Sequence, residues 1–381
     1  MIIGSTVCEF NPFHTGHKYL LDFMQKDGAT HKICIMSGNF VQRGEFAVCD
    51  KYIRADAAVA NGADLVIELP LPYALSTAES FARGSIGLLN KLNCIDTLYF
   101  GAENKIEEIE SVINKSETAE FKTKIKSLLD SGISYPDAYQ EAMGGLVLQG
   151  ANNTLAIEYI KQLRKLNSNI KYKSIERIGV HHDSNEERDG FMSASAIRAK
   201  LRNGEDCGKF MPYEIHQSDI CNQSKLDLAF SAKFRTMRET DFEKIADVNE
   251  GLEYRIKKAV QISKSTAELL ENIKTKRYTN AKIRRILLCA FLGVTKQMQT
   301  EIPNFINVLA SNKKGIEILS EIKVKSDVKI VTRFADTEFL SEKDKKLYEF
   351  TCMCDDIYSL ALPEIRQAGY DKTRKFFIKS M

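Results

Sequence analysis

Along the first half of the chain, short runs of consecutive apolar residues alternate with stretches whose apolar positions recur at helical spacing. "IIGSTVC" (2–8), "KICIMS" (32–37), "DLVIEL" (64–69), "DTLYFG" (96–101) and "IKYKSIERI" (170–178) have the length and content of strands. Most are nearly unbroken apolar runs, as strands covered on both faces are. Between them, residues 16–26, 50–61, 76–92 and 152–166 read as helices. In the last of these, Leu155, Ile157, Tyr159, Ile160 and Leu163 recur at near-helical spacing, and Asn152 can cap the start. This alternation predicts an α/β fold with a parallel, Rossmann-like sheet. Ligands of such sheets bind beyond the carboxyl ends of the strands.

Past about residue 230 the period changes. "DFEKIADVNEGLEYRIKKAVQ", "TAELLENIK", "NAKIRRILLCAFLG" and "TEFLSEKDKKLYEFTCMC" are helical patterns, with "VKSDVKIVTR" (324–333) as a short strand among them. A chain of 381 residues exceeds one ordinary core. The expectation is therefore an α/β domain over 1–220 followed by a mainly α-helical domain over 221–381. Charge separates the same two parts. Residues 1–220 hold 24 basic and 29 acidic side chains, whereas residues 221–381 hold 30 and 22. The second part is thus the one suited to a polyanion.

Composition narrows the class further. Hydrophobic residues make up 44% and charged residues 28%, as in a soluble globular protein. No apolar stretch approaches the ~18 residues of a membrane span, and the N-terminus has no signal-peptide pattern. A cytoplasmic location is expected, with no membrane contact and no obligate protein partner implied. The nine cysteines are odd in number and scattered, apart from Cys352 and Cys354, and read as reduced thiols. That pair has no partner pair for a zinc knuckle, and no metal site is expected.

The chemistry concentrates in "CEFNPFHTGHKYLL" (8–21), which joins the first strand to the first helix. Gly16 allows close backbone approach there. The helix start offers free N–H groups to a phosphate. His14 and His17 can donate to phosphate oxygens and, with an ordinary pKa near ~6.5, can carry charge once phosphates surround them. They would stabilise charge as an α-phosphate is attacked. Far downstream, "FMSASAIRAKL" (191–201) places Ser193, Ser195 and Arg198 at another helix start, which suits a β/γ-phosphate clamp or merely a serine-capped helix.

H-x-G-H early in such a domain, with S-x-S-x-x-R downstream, resembles the nucleotidyltransferase superfamily. "EFNPFHTGHKYLL", "MSGNFVQRGEFAV", "NGADLVIELPLPYA", "GANNTLAIEYIKQL" and "SASAIRAKL", in that order, resemble the bacterial tRNA(Met) cytidine acetate ligases. The resemblance implies that ATP activates acetate as acetyl-adenylate, which acetylates the wobble cytidine of elongator methionine tRNA. It implies an ATP site floored by residues 7–20, namely Val7, Cys8, Glu9, Phe10, Asn11, Pro12, Phe13, His14, Thr15, Gly16, His17, Lys18, Tyr19 and Leu20. Gly101, Asn152, Asn153, Arg177 and Ile178 would hold the nucleoside, and Ser193, Ser195 and Arg198 the phosphates, with Mg²⁺ accompanying ATP. His14 and His17 would be the catalytic pair. Ser195 stands where the superfamily often has threonine, and either supplies a hydroxyl.

For the tRNA, Asn39 and Arg43 of "GNFVQRGEFA" (38–47) are candidates on the rim of the ATP site. "IKTKRYTNAKIRR" (273–285) adds Lys274, Lys276, Arg277, Lys282, Arg284 and Arg285, with Tyr278 available to stack on a base. Lysines and arginines near the C-terminus (372–379) extend the basic character. Two other readings stay open: a nucleotidyltransferase for a small phosphorylated substrate, and a non-catalytic RNA-binding protein.

Overall fold

The five apolar runs become five strands of one sheet. In chain order the strands are β1 (Ile3–Cys8), β2 (His31–Ser37), a small hairpin of β3 (Phe40–Val41) and β4 (Glu45–Phe46), β5 (Leu65–Leu69), β6 (Thr97–Ala102) and β7 (Lys171–Glu176). Two more, β8 (Phe305–Ser311) and β9 (Lys329–Val331), follow much later. This computed structural model describes all residues except 134, 147, 177–189, 250, 276–277, 377 and 379–381. The sheet order is β7-β6-β1-β2-β5-β8-β9. All neighbours are parallel except β5 and β8, which run antiparallel.

Alternate residues of the central strands feed opposite layers. Ile33 and Ile35 of β2 enter one core with Ile86 and Leu89 of helix Ala78–Leu92 and Ile160 of helix Ala151–Lys165. Cys34 and Met36 face the other way, onto Leu21 and Met24 of α1 (Thr15–Lys26) and Ala55 and Ala58 of α2 (Lys51–Ala60). The long apolar strands are apolar because both faces are covered.

The expected division at residue 220 does not follow this sheet. Residues 305–331 return from the helical part to extend it, with Ile306 and Val308 buried in the same core as Ile33. Without β8, the edge of β5 would be left unpaired. The short strand expected within 324–333 is β9, and it forms that new edge. The remaining C-terminal helices build a separate core around Phe230, Phe234, Ile286 and Tyr358, which also takes in Phe40 and Phe46 of the hairpin. The hairpin is thus the joint between the parallel sheet and the helical part. All nine cysteines are free and buried, Cys352 and Cys354 included. Among the described residues, no helix is long and apolar enough to cross a membrane.

Candidate active site

Beyond the carboxyl ends of β1 and β6, one pocket gathers residues from seven separate stretches of the chain. Its floor is the turn after β1. Phe10, buried and at φ +45°, reverses the chain, a conformation uncommon for a non-glycine residue. His14 then caps α1. Its Nδ1 accepts from the Gly16 N–H at 3.0 Å, and His17 Nδ1 accepts from the His14 N–H at 3.3 Å. This is a reciprocal capping box built from two imidazoles.

The rings stack 3.8 Å apart at 27°, and Phe10 sets its edge against His17 at 4.8 Å. A Cβ on residue 16 would lie 2.9 Å from His14 Cε1, so the H-x-G-H glycine is there for space. Because both Nδ1 atoms accept, the neutral rings carry their protons on Nε2. With Nδ1 of each ring accepting from the backbone, Nε2 is the nitrogen left to donate.

A fully buried arginine sets the turn. Arg54 of α2 donates to the carbonyls of Glu9 (2.6 Å), Ser37 (3.2 Å), Cys49 (3.0 Å) and Gly38. It ties the ends of β1 and β2 together. In the sequence it looks like one charge of an amphipathic helix, and only the packing shows its role. Asn11 is held on both sides. Its side-chain oxygen accepts from the Val48 N–H at 2.8 Å, and its carbonyl accepts from Arg198 at 2.9 Å. That second bond brings the downstream motif against the first turn. Ser193 caps helix Ala194–Arg202 and lies 3.0 Å from the Ser195 hydroxyl. Burial lowers the pKa of Arg198, opposed by Glu45 and Glu9.

Of the expected ATP-site residues, Val7, Cys8, Glu9, Phe10, Asn11, His14, Gly16, His17, Tyr19, Leu20, Gly101, Asn152, Ser193, Ser195 and Arg198 line this pocket. Pro12, Phe13, Thr15, Lys18 and Asn153 do not. Phe13 packs beneath His17, and Lys18 pairs with Asp22 one turn along α1. Arg177 and Ile178 lie outside the described residues.

Asn153 is corrected to a structural role. It is fully buried, its oxygen accepts from the N–H groups of Glu103 and Asn104, and its amide donates to Asn104 and Gln149. Nor does Asn152 cap its helix. It sits in the first turn, behind Gly150 at φ +112°, and the Glu103 carboxylate accepts from the N–H groups of both asparagines. Glu103 carried no sequence signal, because its partners are nearly fifty residues away.

The opposite rim is formed by the hairpin, with Val41, Gln42, Arg43 and Glu45 in the pocket wall. Arg43, expected at RNA, therefore reaches the pocket itself. Asn39 does not. Only 2% exposed, it donates to Asp355 at 2.9 Å and accepts from the Lys51 N–H at 2.7 Å, which leaves nothing for a tRNA.

Behind it, Lys51 is wholly buried between Glu68 (3.1 Å), Asp355 (2.6 Å) and Asp371 (2.8 Å). This cluster ties α2, β5 and the C-terminal helices together. The basic segment meets the hairpin directly. A Cβ on Gly44 would overlap the backbone of Arg284 and Arg285. Arg284 pairs with Glu45 at 3.1 Å. Arg285, 11% exposed, pairs with Asp247 at 2.9 Å, so it is a buried tie rather than a surface contact. Lys282 lies over the Tyr278 ring at 5.2 Å, and Lys274 pairs with Glu271 at 3.5 Å. Lys276 and Arg277 are outside the described residues.

One more pocket feature was not legible beforehand. Thr6 lines the floor fully buried, and among the described residues its hydroxyl has no hydrogen-bond partner. Buried polar groups are rarely left so unless a ligand or water completes them.

The chain as a whole is similar to proteins of known kind. A family model described as HIGH Nucleotidyl Transferase matches residues 1–373. Proteins named tRNA(Met) cytidine acetate ligase are 38% identical in Thermoanaerobacter sp. (strain X514), over 97% of this chain and 98% of that one. Another, from Acetivibrio thermocellus, is 32% identical over 99% and 100%. The crystal structure of Thermotoga maritima TmcAL bound with alpha-thio ATP superimposes over 100% of both chains with a TM-score of 0.90, at 29% identity. With the family model matched over nearly the whole chain and relatives above 30% identity over almost their full length, the chain belongs to the HIGH nucleotidyltransferases and, among them, to the tRNA(Met) cytidine acetate ligase family.

Proposed function

We propose that the protein uses ATP to acetylate the N4 amine of the wobble cytidine in elongator methionine tRNA, through an acetyl-adenylate and with release of AMP and pyrophosphate. The observation that carries this reading is the convergence on one pocket of two Nε2–H donors, two serine hydroxyls and Arg198. Such a set serves a reaction whose main demand is charge stabilisation on phosphate oxygens. The relatives' name supplies the acceptor, and the solved relative's bound alpha-thio ATP supplies the nucleotide.

In this reading the adenosine lies at the β6 end, by Gly101 and Asn152. The triphosphate crosses the H-x-G-H turn toward Ser193, Ser195 and Arg198. An acetate oxygen attacks the α-phosphorus, and pyrophosphate leaves opposite. His14 and His17 donate to the α-phosphate oxygens as charge builds there, a contribution of about 10²–10³ in rate per donor. Among the described residues, no group of three His, Cys, Asp or Glu is arranged to hold a metal ion. Mg²⁺ would enter with ATP, carried on its phosphate oxygens. The tRNA approaches over the hairpin and helix Asn280–Leu292, where Lys274 and Lys282 can meet phosphates.

The direct test is incubation with ATP, labelled acetate and an unmodified elongator methionine tRNA transcript. Label should appear on the wobble cytidine, with one AMP formed per acetyl transferred. A transcript with uridine at that position should accept none. ADP as the product, or label independent of the wobble base, would overturn the proposal.

A further inference from the structure

Resting on that reading, we infer that Glu9 is the proton acceptor for the cytidine amine in the acetyl-transfer step. The sheet order gives the pocket two ends. β1 lies between β6, which carries Gly101, and β2, which leads into the hairpin. Glu9 follows β1 and leans toward the hairpin, where its Oε1 accepts from the Gln42 N–H at 2.7 Å. It is thus tied to the hairpin wall of the pocket, against which helix Asn280–Leu292 is packed. An acceptor base arriving over that helix and the hairpin would enter the pocket at the wall to which Glu9 is tied.

The carboxylate is set up unequally. Oε1 is committed to Gln42, whereas Oε2 makes no hydrogen bond among the described residues, although the side chain lines the pocket. Burial pushes the Glu9 carboxyl above its ordinary value, against the opposing pull of the Gln42 N–H and of Arg198, Arg43 and Arg54. A carboxylate more basic than usual, fixed by one oxygen and open at the other, is suited to take a proton.

The chemistry needs such a group. The lone pair of a cytosine amine is delocalised into the ring and makes a poor nucleophile. As N4 bonds to the acetyl carbonyl carbon, its N–H becomes acidic and the proton passes to Glu9 Oε2. The carbonyl then re-forms, the carbon–oxygen bond to the phosphate breaks, and AMP leaves with that electron pair. The balance is amine plus acetyl-adenylate giving amide, AMP and one proton. General-base assistance of this kind is worth about 10²–10⁴ in rate.

The test is Glu9→Gln, which keeps an oxygen for the Gln42 N–H and removes the basic site. Two rates are read from the same preparation: acetate-dependent pyrophosphate exchange into ATP, and single-turnover transfer of the acetyl group to the tRNA transcript. Transfer should fall at least 30-fold further than exchange. The wild-type transfer rate should also drop on the acid side, through a pKa above the ordinary glutamate range, and the variant should lose that limb. Equal falls in both rates with the wild-type pH profile retained, or transfer as fast as wild type, would overturn the assignment. Exchange in the variant also reports that it folds. Wild-type protein without exchange would instead defeat the parent reading, and the Glu9 role with it.

Discussion

Two places in this molecule bury charge, and they are finished differently. Around Lys51 every charge is answered. The ammonium is held by three carboxylates, Asn39 and Asn307 add amide donors, and Arg366 pairs with Asp50 nearby. Burial, the neighbouring acids and Asp371 raise the Asp355 carboxyl, despite the pull of Lys51. That of Asp371 is lowered, because Lys51 and the Asp355 hydrogen bond outweigh burial. Around Glu9, by contrast, one oxygen is fixed and the other is open to a pocket. A closed network holds elements together, whereas one with an open side does chemistry.

Lys51→Met should produce the largest effect, because it strands the acids in the interior. A loss of about 3–5 kcal/mol in unfolding free energy is expected, read from the denaturant midpoint. Pyrophosphate exchange per folded molecule should stay within about twofold, since the cluster only supports the site. A drop in exchange with no loss of stability would erase the distinction between the two regions. In the wild type, burial pulls the ammonium down, but the three carboxylates hold it above the ordinary lysine value. Its stabilisation is complete below that ordinary value and is lost only as pH rises through the higher folded one.

His17→Ala should act in the opposite sense. Removing one donor to the α-phosphate should cut exchange by about 10²–10³. The lost cap should cost only about 1 kcal/mol of stability. A variant exchanging near the wild-type rate would remove His17 from the chemistry.

The smallest effect concerns the surface. Lys274→Ala with Lys282→Ala should weaken tRNA binding several-fold at low salt. The salt dependence of log K should fall by about 0.7–0.9 per lysine. Exchange without tRNA should be unaffected. A binding constant and salt slope equal to the wild type would move the RNA path elsewhere.

How far this could be read from the chain depends on range. His14, Gly16 and His17 are local, and their spacing already describes a helix start, so their place was legible. The strands β1, β2, β5, β6 and β7 were legible because unbroken apolar runs leave few options. β8 was not. "FINVLAS" is as apolar as the others, but it stands among helical patterns, and nothing local says that it returns to pair with β5. Lys51 and Arg54 fail for a related reason. In "DKYIRADAAVA" they look like the solvated face of a helix, but Lys51 is buried against Asp355 and Asp371, some three hundred residues away, and Arg54 against the carbonyls that end β1 and β2. Asn39 was a candidate because it stands on a glycine-bracketed loop at the rim of the site, and Asn153 because the family resemblance implied it. Both turned out to be tied up by the backbone and side chains that shape the loops themselves.

The central claim is that the pocket beyond β1 makes an acyl-adenylate, and one measurement tests it most directly. Labelled pyrophosphate is exchanged into ATP by the wild-type protein with and without acetate, no tRNA being present. The account predicts exchange that requires acetate and needs no RNA. Exchange absent with acetate, alongside pyrophosphate release when a small phosphorylated acceptor is supplied, would contradict it and assign the pocket to nucleotidyl transfer.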